Sequence, residues 1–168
     1  MLRLFAKTLK TGVVTEPIKK PSENELEQLG IKIKRHIDKC FSGSLAIRSV
    51  DAGSCNACEL EIHALNNPFY DIERFGIHFV ASPRHADVLL VTGPVSRHMQ
   101  TALIRTYAAT PNPKWVVAVG DCAVCGGEFG TSYASCGAVA NVIPVDVTIS
   151  GCPPTPETLI KALLGFMK

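Results

Sequence analysis

The chain predicts an α/β fold: a doubly wound parallel sheet with helices on both faces, in three layers. Three observations predict it. Asp87-Val88-Leu89-Leu90-Val91-Thr92-Gly93 and Lys114-Trp115-Val116-Val117-Ala118-Val119-Gly120 are nearly continuous apolar runs, as a strand covered on both faces requires. Helical patterns separate most of the strand candidates, the alternation that produces parallel sheets. With 168 residues, 46% of them apolar, there is material for one domain with a substantial core.

The elements follow in order. Residues 1–44 form an N-terminal arm, and residues 45–168 the α/β domain. In the arm, Leu2, Leu4, Phe5, Leu9 and Val13 are interspersed with Lys7 and Lys10. This segment is either a solvated tail or an arm laid on a partner subunit or a membrane surface. Thr15 to Ser22 is a Pro-bounded linker. Ser22 and Glu25 make a capping box for a short helix over about Glu23–Gln28. The first strand, Leu45–Val50, ends at Asp51-Ala52-Gly53, and a helix over Cys55–Leu65 is stopped by Asn66-Asn67-Pro68. Gly76–Ala81 is a second strand, and the two apolar runs are the third and fourth. Between those two lies a helix of about Met99–Ala109, ended by Pro111 and Pro113. The last strand is Val145–Ile149, and Pro156 opens a final helix over Glu157–Met167. Right-handed crossovers then give a flavodoxin-like arrangement. Asp121 to Ala138, rich in Gly and Cys, is too long to be an idle loop within a compact domain.

Charge and length exclude some functions. The net charge is +2, with nine Lys/Arg against five Asp/Glu in residues 1–40 and eight against ten in the rest. The basic excess thus belongs to the arm, and the sum argues neither for nor against nucleic acid, which is not among the expected partners. Neither an export signal nor an apolar run of about 18 residues is found.

The seven cysteines are Cys40, Cys55, Cys58, Cys122, Cys125, Cys136 and Cys152. An odd number cannot pair completely, and grouped cysteines in a reducing compartment are more often metal or redox groups than disulfides. Cys55 and Cys58 follow the first strand, Cys122 follows the fourth, and Gly151-Cys152-Pro153-Pro154 follows the last. Ligands of open α/β sheets bind beyond the carboxyl ends of the strands. Three distant segments therefore deliver thiols to one sheet edge. Zinc, an iron–sulfur cluster and a thiol redox pair each remain open on this pattern. Two features weigh against the zinc and thiol readings. The CxxC pairs at 55 and 122 lie much farther apart than the 15–20 residues usual in zinc ribbons. A lone redox CxxC leaves Cys152 unexplained.

Five ordered motifs carry a resemblance over about residues 45–168: Cys55-x-x-Cys58-Glu59, Ser82 to Gly93, Gly120-Asp121-Cys122, Pro144 to Val147, and Gly151 to Pro154. Together they resemble the small subunit of membrane-associated, group 4 [NiFe] hydrogenases, closest to the formate hydrogenlyase type. The terminal-cluster subunit of respiratory complex I is related. That subunit typically carries two adjacent cysteines where this chain has Cys55 and Cys58 three apart, which favours the hydrogenase type. Uptake-hydrogenase small subunits carry a twin-Arg leader and a further cluster domain, and this sequence shows neither.

The resemblance implies one [4Fe-4S] cluster on Cys55, Cys58, Cys122 and Cys152, at the C-terminal ends of the strands. Cys122 is preferred to Cys125 because it is nearer the strand end. Cys136 is expected as a small buried apolar residue, and a Cys125–Cys136 disulfide is the weaker alternative. Further implied are a [NiFe] hydrogenase large subunit, a ferredoxin-like iron–sulfur subunit and membrane subunits as partners. The place is the cytoplasmic side of the inner membrane, peripherally attached, and H2 evolution is the net reaction. The alternatives are a complex I-type quinone-reducing subunit and a structural zinc domain with four cysteine ligands. Glycines 53, 120, 126, 127, 137 and 151 let backbone N–H groups approach sulfur. Arg84 or His85 is expected as a cation close to the cluster. Glu59 is either a proton relay or a first-turn acid favoured by the helix dipole.

Overall fold

A computed structural model describes residues 2–12 and 23–166. The linker from Thr15 to Ser22, the Ser22 cap and Met167 lie outside the described residues. Five strands form one parallel sheet: β1 (Leu45–Asp51), β2 (Ile77–Phe79), β3 (Val88–Thr92), β4 (Trp115–Val119) and β5 (Val147–Ile149), in the order β2-β1-β3-β4-β5. This is the flavodoxin-like strand order. The helices are α1 (Leu2–Thr11), α2 (Glu23–Cys40), α3 (Ala57–Ala64), α4 (Arg97–Ala109), α5 (Asp121–Cys125) and α6 (Pro156–Phe166).

Strand alternation assigns the two faces. Val88, Leu90, Val117 and Val119 bury against one cluster with Ile33, Ile37, Ile62, Leu159 and Leu163, so α2, α3 and α6 cover that face. Leu89, Val91, Val116 and Ala118 bury against the other, with Leu103, Ala123 and Val139, so α4 and α5 cover the second face. A sheet buried on both sides leaves no exposed position in β3, whose five residues are all buried.

Two carboxylates fix the amino ends of this sheet. Asp87, one residue before β3, accepts from Ala46 N–H of β1 at 2.9 Å. Asp146, one residue before β5, accepts from Val116 N–H of β4 at 2.8 Å. Each satisfies a backbone donor that the ladder would otherwise leave unpaired.

α2 is far longer than the expected Glu23–Gln28. Leu26, Leu29, Ile33 and Ile37 continue the helical spacing, and Ile33 and Ile37 are buried in the same core as the strands. Burial of this stripe supplies the stability that the weakly apolar sequence lacks by itself. Where α2 crosses the turn before β2, a Cβ on Gly30 would run into the Phe75 ring. Close helix packing, not flexibility, accounts for that glycine. α3 starts two residues later than expected, and β2 is shorter at both ends.

Candidate metal centre

Each thiol is positioned by a local device at a strand's carboxyl end. After β1, Asp51 Oδ1 accepts from both Gly53 N–H and Ser54 N–H at 2.8 Å. Ser54 Oγ then accepts from Asn56 N–H at 3.1 Å. These nested turns hold Cys55 in the loop and place Cys58 in the first turn of α3. Asn56 is left-handed at φ 70°, a conformation Asn tolerates better than most residues.

After β4 and β5 the device is Asp121. Its N–H donates to Gly151 O at 2.9 Å, and its Oδ1 accepts from Gly151 N–H at 2.8 Å. Gly120 N–H also donates to Ile149 O at 2.8 Å. The two strand ends are thus joined just before Cys122 and Cys152. A Cβ on Gly120 would lie 2.6 Å from Cys58 Sγ and 3.4 Å from Gly151 O. One backbone position therefore touches all three cysteine-bearing segments. On the other side, a Cβ on Gly127 would lie 2.8 Å from Cys122 Sγ. Both glycines have positive φ, +85° and +53°, so the chain reaches these sulfurs only where a side chain is missing.

The electrostatics report the same convergence. The Cys58 thiol is pushed up to about 11 from 9.0, first by its burial, then by Glu59, Cys55, Cys122 and Cys152. Cys122 is raised as well, first by burial, then by Cys152, Cys55, Asp121 and, last, Cys125. Burial first, and then repulsion from the neighbouring sulfurs, makes Cys58 and Cys122 hold their protons in the free protein. A cation centre reverses that preference and releases protons as it binds.

The shift has a stability consequence. A thiol with a higher pKa in the fold than in the unfolded chain contributes fully below pH 9.0, and the contribution fades as pH rises through about 11. Metal-stripped protein is expected to lose on the order of 2–3 kcal/mol from this group across that window. Urea titrations of the native sequence and of Cys58→Ala at a series of pH values check it. The variant's stability should fall less steeply, and parallel curves would contradict the assignment.

The seven cysteines divide cleanly. All are free thiols, so the Cys125–Cys136 disulfide is not formed. Cys136 is 6% exposed and packs among Val95, Val139 and Ile143, as expected of a small apolar residue. Cys125 is exposed, and its thiol donates to Asp121 O at 3.2 Å within α5. Cys40 is exposed at the end of α2. Cys58 is buried, Cys122 is half-buried, and Cys55 and Cys152 are open to solvent. Among the described residues, no three His, Cys, Asp or Glu side chains form a group that could hold a single metal ion.

Two expectations need correction or refinement. Arg84 and His85 lie in the 3-10 turn Pro83–His85, which leads into Asp87 at the amino end of β3. Neither is among the groups that perturb Cys58 or Cys122. The chain must return to the amino edge between parallel strands, and this turn belongs to that return. Glu59 buries both carboxylate oxygens with no hydrogen-bond partner, as Arg48 does its Nε. Both residues line a cavity of about 310 Å³, with His63, Asn66 and Phe79 also in its wall. Asp121 carries no role on sequence grounds alone. Its one signal is its place, an acid directly before a strand-end cysteine.

The long stretch after α5 is also organised. Cys136 N–H donates to Val95 O at 2.7 Å, and Val95 N–H to Gly137 O at 2.9 Å. Arg97 N–H donates to Ala134 O at 2.8 Å. The segment is thereby laid across the carboxyl end of β3, beside the thiols.

Known proteins share much of this sequence and its fold. The family model for the 20 kDa subunit of NADH ubiquinone oxidoreductase matches residues 55–166. Formate hydrogenlyase subunit 7 of Escherichia coli (strain K12) is 45% identical over 134 residues, 80% of this chain and 51% of that protein. The chain thus spans about half the length of that relative. A probable membrane-bound hydrogenase subunit, mbhJ, of Pyrococcus furiosus is 46% identical over 115 residues, 68% of this chain and 69% of that protein. An NADH-quinone oxidoreductase subunit of Herpetosiphon aurantiacus is 49% identical over 108 residues, 64% of this chain and 60% of that protein. Among solved structures, the membrane-bound sulfane sulfur reductase, an archaeal respiratory membrane complex, contains a similar chain. Its TM-score is 0.65 at 34% identity, covering 85% of this chain and 74% of that one. The sheet order, the thiol-bearing strand ends and these matches lead to one conclusion: the chain belongs to the family of the NADH ubiquinone oxidoreductase 20 kDa subunit and its [NiFe] hydrogenase relatives.

Proposed function

We propose that this chain is the electron-relay subunit of a membrane-associated oxidoreductase complex of the [NiFe] hydrogenase type. It holds one [4Fe-4S] cluster on Cys55, Cys58, Cys122 and Cys152. The observation that carries the reading is Gly120, whose missing side chain leaves room for Cys58 Sγ beside the β5 end that bears Cys152. When bound, the cluster supplies one-electron transfer.

The residues of the chain prepare that site. The first turn of α3 directs unpaired N–H groups and the positive helix end toward the thiols. Asp121 holds the Cys152 loop against β4. The exposure of Cys55 and Cys152 leaves one side open for a partner, as short-range electron exchange requires. Among the described residues no helix is long and apolar enough to cross a membrane. Membrane attachment in this reading follows the hydrogenase likeness: it is peripheral, on the cytoplasmic side of the inner membrane and through membrane subunits.

The partners follow from the hydrogenase likeness. A large subunit carries the nickel–iron chemistry, and a ferredoxin-like subunit exchanges electrons at the other end, with H2 evolution as the net reaction. Glu59, with two buried and unpartnered carboxylate oxygens, takes or gives a proton at Oε toward the large subunit.

Anaerobic purification of the complex tests this. The expected material is brown, with about four irons and four acid-labile sulfides for each copy of this chain beyond those of other subunits. Nickel is expected in the large subunit. A colourless protein holding zinc would refute the cluster. A cluster without nickel would shift the reading to a complex I-type quinone-reducing subunit.

A further inference from the structure

We infer that α1 is a lipid-binding element that lies along the surface of an anionic bilayer. Its ten residues, Leu2–Thr11, carry Phe5 and Leu9 four apart, which is one helix face. Arg3, Lys7 and Lys10 repeat at four and three on the other side. Phe5 is 72% exposed and Leu9 80% exposed, so the apolar face has no cover within the described residues. Thr11 Oγ1–H closes the last turn on Lys7 O at 2.7 Å.

Two physical points select a bilayer. A helix this short is marginal in water unless a surface takes up its apolar face. The charge is also of one sign, since no Asp or Glu precedes Glu16 in the sequence. A short amphipathic helix with Lys and Arg on its polar face and Phe and Leu on the other is suited to anionic headgroups and the acyl boundary beneath them. The apolar residues sink, and the long basic side chains reach back to the headgroups. One such helix gives weak, reversible binding. It therefore orients a complex already held by its membrane subunits, rather than anchoring it alone.

The test uses the full purified chain and sedimentation with vesicles. One set is phosphatidylcholine alone, and the other contains about one-third phosphatidylglycerol, an anionic lipid. Binding is expected only to the anionic set, falling several-fold when salt rises about tenfold. Phe5→Asp with Leu9→Asp, and separately Lys7→Glu with Lys10→Glu, should each reduce it at least about tenfold. Both variants should keep their full iron content, so failure here is separable from failure of the cluster assignment. No binding to anionic vesicles would overturn the inference. So would equal binding by the variants. If the same variants instead detach the chain from its partner subunits without any vesicle binding, α1 is a protein-docking helix and the lipid reading is wrong.

Discussion

Replacing Cys152 with serine is expected to abolish the cluster's EPR signal and the brown colour, while Cys125→Ser leaves both nearly intact. The two cysteines differ in placement, not in chemistry. Cys152 follows Gly151, which Asp121 fastens to the end of β4 through two hydrogen bonds. It is the largest sulfur influence on Cys122 and one of three on Cys58. Serine offers a harder, far less acidic donor, so one iron loses its soft thiolate. Cys125 has no part in the Cys58 environment, ranks last for Cys122, and gives its thiol hydrogen to Asp121 O. EPR of the dithionite-reduced complex reads both variants. Loss of the signal in Cys125→Ser, with retention in Cys122→Ser, would reverse the ligand assignment within α5.

Gly120→Ala is expected to lower iron content several-fold and to lower the melting temperature by several degrees. Its backbone sits at φ 85° and ψ 154°, a region where a side chain costs roughly 1–3 kcal/mol. The new Cβ would also lie 2.6 Å from Cys58 Sγ, so the sulfur has to move from its place among the other thiols. Strain and displacement act together, and the next neighbour, Gly151 O at 3.4 Å, is backbone. Gly130→Ala is the control. Its φ is +52° and nothing lies within 4 Å of an added Cβ, so it costs about 1–2 kcal/mol of backbone strain and retains its iron. Normal iron loading in Gly120→Ala would place the Cys58 sulfur elsewhere.

The sheet was legible because burial on both faces writes itself into composition. Val88 to Val91 has no polar alternate, and such a run suits a strand between two helical layers. The core of α2 was less legible. Its apolar positions are spaced correctly, but Lys32, Lys34, Arg35 and His36 lie between them, and the polar count hid the stripe. Arg84 and His85 failed for a topological reason. Adjacency to a motif does not say which edge of a parallel sheet a turn occupies.

Thiols at three strand ends, a parallel α/β frame and the likeness to an oxidoreductase subunit were determined by sequence alone, because strand periodicity and cysteine placement are local. How the loops that carry them are joined was decided only by the tertiary structure. Cys122 and Cys125 stand on one short helix, with Cys122 half-buried and Cys125 exposed, beside the place where Asp121 and Gly120 join the end of β4 to the end of β5. Hydrogen bonds between segments some thirty residues apart have no local sequence signature, so that joining is made by folding and not by any one motif.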